Sequence, residues 1–173
     1  ENPLDYSKLE NALGGRPSLC VVDSTNMLNE NKGMSETLLK EPIAKIIEES
    51  KGRVIFTSFA SHLARLKIIA EAGEKSGRSI AVFGRAMNNM ISKALETSIF
   101  TDFPTLIDSR KAHMVPRENL LVIAPGSQGE IRAASAQLAR GKYMGLELEE
   151  GDTFVFSSKT IPGNEISVNR VIN

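Results

Sequence analysis

The 173-residue chain is short of the side chains that usually build metal centres: it has one cysteine and only two histidines, His62 and His113, which stand far apart. A zinc site needs about four ligands at close spacing, so these residues do not supply one by themselves. No apolar run approaches the ~20 residues that span a bilayer, which argues against a membrane protein. Net charge is also missing, since 21 Lys and Arg balance 21 Asp and Glu. Bulk charge therefore leaves no footprint for a polyanionic partner, although local clusters can still bind one. No Ser-His-Asp ordering and no phosphate loop ending in Gly-Lys-Ser/Thr is present, so the common nucleophilic and nucleotide-hydrolysing centres are excluded. The start, Glu1-Asn2-Pro3, has neither an initiator Met nor a basic-then-apolar leader, and the end, Val171-Ile172-Asn173, falls inside an amphipathic pattern. The expectation is a piece of a longer protein. Cys20, in the apolar run Leu19-Cys20-Val21-Val22, reads as a small buried hydrophobe in a reducing compartment.

What the chain does have is a recurring alternation. Five short apolar runs, Ser18 to Val22, Arg53 to Thr57, Ser79 to Phe83, Leu120 to Ala124 and Thr153 to Ser157, are each followed by a turn signal and a longer helical pattern. The runs are continuously apolar, which suits strands covered on both faces. The predicted class is therefore α/β, with a mainly parallel sheet of about five strands flanked by helices as a Rossmann-like three-layer sandwich. A chain of this length buries about 70% of its unfolded surface, enough to fold without a disulfide or metal staple.

Helices are predicted from Ser35 to Ser50, Ser61 to Lys75, Ala86 to Thr97, Ile131 to Arg140 and Glu165 onward. In the second, Leu63, Leu66, Ile69, Ala70 and Gly73 recur at spacings of three and four, the signature of one buried stripe. Ser35 suits an N-cap, and Pro42 should kink or split the first helix. Segment 98 to 119 has no legible period and reads as a packed connection, with one short helix at most.

In an open parallel sheet, ligands bind beyond the carboxyl ends of the strands. The residues there are Asp23-Ser24-Thr25-Asn26, Ser58 through His62, Gly84-Arg85, Gly126-Ser127-Gln128-Gly129-Glu130 and Ser158-Lys159. Hydroxyls, amides, cations and helix N-termini on one rim suit an anionic sugar-phosphate ligand. The turn from Gly126 to Glu130 reads as strand, glycine turn and helix N-terminus, a generic anion site and equally an ordinary connection. Each rim residue has a plainer use: Ser61 as an N-cap, His62 as a surface residue, Arg85 as an ion-pair partner, Asp23 as a turn former. The residues alone define a phosphate-binding α/β module without a complete catalytic centre.

Taken in order, Asp23-Ser24-Thr25-Asn26, Ser35-Glu36, Phe59-Ala60-Ser61, Gly77-Arg78, Gly84-Arg85-Ala86-Met87, Gly126 to Glu130, Gly151-Asp152-Thr153 and Ile161-Pro162-Gly163-Asn164-Glu165 resemble the ribonuclease J family, β-CASP nucleases of the metallo-β-lactamase class. The resemblance is collinear over nearly the whole chain. It implies that residues 1 to 30 end the first part of a metallo-β-lactamase domain and that residues 31 to 173 form the inserted β-CASP domain. It further implies a cytoplasmic, homo-oligomeric parent using two zinc ions to hydrolyse RNA phosphodiesters in decay and maturation, with RNA between the two domains. Asp23 matches the metal-bridging aspartate, and Glu36 matches a catalytic acidic residue. Ser61, His62, Arg85, Gly126, Ser127, Gln128, Gly129 and Glu130 are the inferred RNA-phosphate contacts.

The His-x-His-x-Asp-His zinc motif of that family, and its Ser-Gly-His segment, would lie outside this chain, so the fragment is expected to be inactive alone. The sequence departs from the family pattern at His62, Ala86, Pro125 and Lys159-Thr160, which bears on RNA grip more than on fold. Two other readings stand beside the nuclease: a non-catalytic RNA-binding or assembly module, and a free-standing Rossmann-like nucleotide-binding domain. The second lacks a Gly-x-Gly-x-x-Gly turn after its first strand.

Overall fold

The computed structural model describes residues 5–15, 19, 21 and 35–173, and the chain divides into two units, residues 1–38 and 39–173. Asp23 and Cys20 lie outside the described residues. In the first unit, helix α1 (Tyr6–Leu13) opens on Asp5, whose carboxylate accepts the Lys8 amide at 3.1 Å, and closes on Gly14 in the left-handed region. No residue of α1 is buried. Of the apolar run predicted as the first strand, Leu19 and Val21 are described; both are exposed and neither is in a strand.

The second unit holds the sheet. A 3-10 turn over Glu36–Leu39, whose first three residues belong to the first unit, precedes α2 (Lys40–Glu49) in the chain. Ser35 caps that turn through its side chain, the Thr37 amide donating to Oγ at 3.4 Å. Pro42 falls in the first turn of α2, where its missing N–H has no helical acceptor, so the predicted helix is split before the proline rather than kinked at it. There follow β1 (Val54–Thr57), α3 (Leu63–Lys75), β2 (Ser79–Val82), α4 (Arg85–Glu96), β3 (Leu106–Ile107), β4 (Leu120–Ala124), α5 (Ala134–Ala139), the hairpin β5 (Lys142–Tyr143) and β6 (Leu146–Glu147), β7 (Thr153–Phe156) and α6 (Glu165–Ile172). No helix among the described residues is long and apolar enough to cross a membrane.

Five strands form one parallel sheet in the order β3-β2-β4-β1-β7. Every residue of β1 and β4 is buried, as continuous apolar runs in the middle of a two-sided sheet require. One face carries Val54, Phe56, Ile80, Val82, Leu121 and Ile123 against α2, α3 and α4, through Ile43, Ile47, Leu66, Ile69, Met87 and Ile91. The other carries Ile55, Ala81, Phe83, Leu120, Val122 and Ala124 against α5 and the hairpin, through Ala134, Leu138 and Leu146. Three layers result. The fifth strand is β3, inside the stretch that reads in sequence as a connection. It is two residues long, too short to show a period, and 3-10 turns over Ser109–Met114 and Arg117–Asn119 return the chain to β4.

Register decides where a site can be. Thr57 is level with Ala124 on one side and Phe156 on the other, and Val82 is level with Ile123. The carboxyl ends of β2, β4, β1 and β7 therefore finish together at one edge.

Candidate functional site

Pairing continues one residue past the strands at this edge. Ser58 donates its amide to Ala124 O at 3.2 Å, Phe83 to Ile123 O at 2.8 Å, and Ser157 to Thr57 O at 3.2 Å. The loops that leave the edge thus start from fixed positions. Beyond β1 the chain turns through Phe59 to His62, whose amide meets Phe59 O at 3.1 Å. Ser61 is exposed in this turn, and α3 begins later than predicted, with His62 as N-cap and no capping side-chain bond. Ser61 is therefore not the cap.

After β2 the chain passes Gly84 and enters α4, again with no side-chain cap on its first amides. Arg85, the first residue of α4, is exposed and has neither an ion pair nor a side-chain hydrogen bond among the described residues. The acidic neighbour that would have explained it away is absent there. A methyl group on Gly84 would lie 2.8 Å from Pro125 Cγ, so the turns following β2 and β4 are in close contact.

The glycine turn after β4 is built differently from its sequence reading. The helix does not follow it directly: residues 125–133 are turn, bend and irregular backbone, and α5 starts only at Ala134. Gly126 through Gly129 are buried and Glu130 is exposed. The turn also uses much of its own bonding capacity. Glu130 Oε2 accepts the Gln128 amide at 3.0 Å, Gly126 O accepts the Gly129 amide at 3.1 Å, and the Ser135 hydroxyl donates to Gly126 O at 3.1 Å. The anion that the turn holds in this chain is its own carboxylate.

Gly129 is required for packing: its φ is +73°, and a Cβ there would sit 2.2 Å from the backbone carbon of Ser167 in α6. Gln128 fastens the neighbouring loop. Its Oε1 accepts the Ile161 amide at 2.8 Å and Asn164 Nδ2 at 3.2 Å, while its Nε2 donates to Lys159 O at 3.1 Å. The loop carrying exposed Lys159 is thus tied to the turn by one buried amide. Sequence reasoning named Gln128 as a ligand contact and missed this clasp, because residues 128 and 161 approach only in the folded chain.

Two further features left no signal in the sequence. The hydroxyls of Ser127 and Ser158 are buried at this edge with no hydrogen-bond partner among the described residues. A buried hydroxyl without a partner is unfavourable unless something absent from the protein meets it. The rim can offer the exposed Arg85 guanidinium and Lys159 ammonium to an anion, whereas the Ser127 and Ser158 hydroxyls are closed off from its surface. It does not assemble a metal centre: among the described residues no group of three or more His, Cys, Asp and Glu could hold an ion. Of the two acidic residues singled out in the sequence, Glu36 lies in the 3-10 turn that opens at residue 36, and Asp23 is outside the described residues.

The opposite edge of the sheet has another character. Arg78, immediately before β2, is buried and donates to four carbonyls: Gly52 O at 2.8 Å, Leu120 O at 3.3 Å, Ile47 O at 3.2 Å and Ser50 O at 2.6 Å. Two of these belong to the end of α2, whose carbonyls need such donors. Desolvation lowers the pKa of Arg78 from its ordinary value, yet a guanidinium stays charged. Beside it Asp152, 3% exposed at its side chain, bonds Arg53 Nη1 at 3.2 Å and Arg117 Nη2 at 3.0 Å. It also accepts the Arg53 and Glu149 amides. Its hydrogen bond holds the Arg117 pKa above the ordinary value.

Residues 51–173 match the family described as ribonuclease J, β-CASP domain. The chain is 42% identical over 174 residues to ribonuclease J 1 of Streptococcus pyogenes, covering 99% of this chain and 31% of that protein. It is 39% identical over 153 residues to ribonuclease J of Sinorhizobium meliloti, covering 88% and 27%, and 35% identical over 155 residues to that of Thermus thermophilus, covering 90% and 27%. It thus spans under a third of the length of these relatives. The chain belongs to the ribonuclease J family and contains its β-CASP domain.

Proposed function

We propose, with membership of the ribonuclease J family as the premise, that this chain is the RNA-clamping part of a ribonuclease, and that the carboxyl edge of its sheet faces the RNA. The observation that carries this reading is a pair of exposed cations at one edge, the Arg85 guanidinium and the Lys159 ammonium, neither with an ion pair or side-chain hydrogen bond among the described residues. These cations, with the exposed Ser61 hydroxyl on the loop after β1 and His62 next to it in the chain, match a sugar-phosphate backbone. The segment from Gly126 to Glu130 then serves as the wall of the cleft, buried for most of its length and braced by Gln128.

In this reading the parent is a cytoplasmic, zinc-dependent hydrolase of RNA phosphodiesters that assembles as a homo-oligomer. Residues 1–30 lead from its metallo-β-lactamase domain into the β-CASP domain, residues 31–173. The described residues do not fit zinc, so its ligands would come chiefly from the rest of the parent, with Asp23 contributing one and Glu36 taking the catalytic acidic role. The fragment alone would hydrolyse nothing and would bind RNA weakly and in a salt-dependent manner, since half of the cleft is elsewhere.

Zinc content and RNA hydrolysis by the full-length parent provide the test. Zinc with hydrolysis supports the nuclease. RNA binding with neither zinc nor hydrolysis would leave a non-catalytic RNA-binding module. For the fragment, nanomolar RNA binding in high salt contradicts the half-cleft account.

A further inference from the structure

We infer that the cleft between α5 and α6 is a second phosphate-holding site, which engages the RNA backbone beyond the rim; this rests on the proposed reading of RNA as the ligand. The cleft, about 270 Å³, is lined by Gly129, Ile131, Ala136, Arg140, Ser167 and Arg170 among others, and no acidic residue lines it. Arg140 stands at the end of α5 and Arg170 in the last turn of α6. Neither has an ion pair or a side-chain hydrogen bond among the described residues.

The contrast with the other arginines gives this weight. Arg53, Arg65, Arg78, Arg110 and Arg117 are all engaged by carboxylates or carbonyls. The described arginines left without a partner are Arg85, Arg132, Arg140 and Arg170, on the rim or in the region of α5 and α6. In a chain with no net charge, this is a local field built by placement rather than by composition. Arg140, Arg170 and Ser167, lining one cleft, carry two planar guanidinium groups and a hydroxyl, donors suited to the several oxygens of a phosphate. The space exceeds by far the roughly 10–15 Å³ that a single water needs, so a solvated phosphate can enter.

Continuity favours RNA as its source. Gly129 belongs both to the turn that ends the rim and to the wall of the cleft, and its close approach to Ser167 fixes α6 there. A strand lying on the rim and passing Glu130 thus meets the cleft next.

The test is a titration of the ¹⁵N-labelled chain, followed by NMR, with inorganic phosphate and separately with a short single-stranded oligouridine. The amides of Gly129, Ser167 and Arg170 should shift saturably with both. The double variant Arg140→Ala/Arg170→Ala should lose the phosphate response and bind the RNA about 5- to 10-fold more weakly at low salt. Its plot of log K against log salt should flatten by about 0.7 for each RNA phosphate that the protein no longer neutralises. Both arginines are exposed, so its melting temperature should not change; Arg140→Lys/Arg170→Lys should keep the salt slope and lose part of the affinity. Shifts absent with both ligands, or surviving the double alanine change, overturn the site, and a response to phosphate alone overturns RNA as its source. An acidic peptide that saturates the same amides while RNA does not overturns it in favour of a protein partner. Arg85→Ala in the same titration separates the two readings: a loss with Arg85→Ala alone removes the cleft, and a loss with the double variant alone removes the rim.

Discussion

Arg78 and Arg85 stand at the two ends of β2, and the fold treats them in opposite ways. Arg78 enters the interior at the amino edge and finds four carbonyl oxygens there, two of them at the end of α2. Arg85 leaves the carboxyl edge at the uncapped start of α4, exposed and without a partner among the described residues. The same contrast runs along both edges. At the amino edge Asp152 joins Arg53, Arg117 and two backbone amides. At the carboxyl edge the exposed Arg85 and Lys159 have no ion pair or side-chain hydrogen bond among the described residues. Sequestered charge met largely from within, as at the amino edge where Arg53 Nε is left without a partner among the described residues, contributes to the fold, whereas exposed bonding capacity left unfilled is available to a ligand. The comparison assigns the first task to one edge and the second to the other.

The largest effect should come from breaking the amino edge. Asp152→Ala removes the acceptor shared by Arg53 and Arg117 and leaves the buried Arg53 charge short of a partner, so unfolding by urea should show a loss of about 3–5 kcal/mol. Arg78→Met keeps the apolar stem and strands the carbonyls that the guanidinium served. A loss of about 3 kcal/mol is expected, measured the same way. If either variant unfolds as the wild type does, the amino edge is not the structural one.

At the carboxyl edge the effects should be smaller and local. Gln128→Ala removes three hydrogen bonds to the loop of residues 159–164. It should cost about 1–2 kcal/mol, and hydrogen exchange at the Ile161 amide should accelerate more than in the strands. Uniform acceleration would show that the clasp belongs to the global core.

The smallest effect concerns an exposed pair outside both networks. The Arg110 side chain bonds Asp108, and with the Arg110 amide it lowers the Asp108 pKa from 3.8 to about 2. A carboxylate with a depressed folded-state pKa contributes stability that is fully present above about 3.8 and is lost as the pH falls toward 2. Arg110→Ala should return the Asp108 titration, followed by NMR, toward its ordinary range and make the stability curve flatter in that window. An unchanged titration would remove Arg110 as the cause.

How much of this was legible differs between the edges too. The α/β class, four of the five sheet strands and the buried stripe of α3 follow from continuous apolar runs and from Leu66, Ile69, Ala70 and Gly73 recurring at helical spacing. These signals are local, and local patterns survive in a linear reading. β3 escaped because two residues cannot display a period. The rim was legible as residue types, since parallel strands put their carboxyl ends together. Its wiring was not: Glu130 reaching back to the Gln128 amide, Gln128 clasping residues 159–164, and Gly129 against α6 are contacts made by turns and tertiary approach. Arg78 was read only as part of a family motif, because nothing near it in sequence shows that four carbonyls will surround it. The family resemblance supplied what spacing could not, and the match over residues 51–173 bears it out.

The division between the edges can be tested with two charge-matched variants, Arg85→Ala at the carboxyl edge and Arg117→Ala at the amino edge, each lowering the net charge by one. Binding of single-stranded RNA to this chain, measured by fluorescence anisotropy at two salt concentrations, should weaken about 3- to 10-fold in low salt for Arg85→Ala, with a flatter salt dependence. Arg117→Ala should bind as the wild type does while melting at a lower temperature. Equal losses of affinity in the two variants would mean that RNA responds to total charge and that the carboxyl edge has no special role.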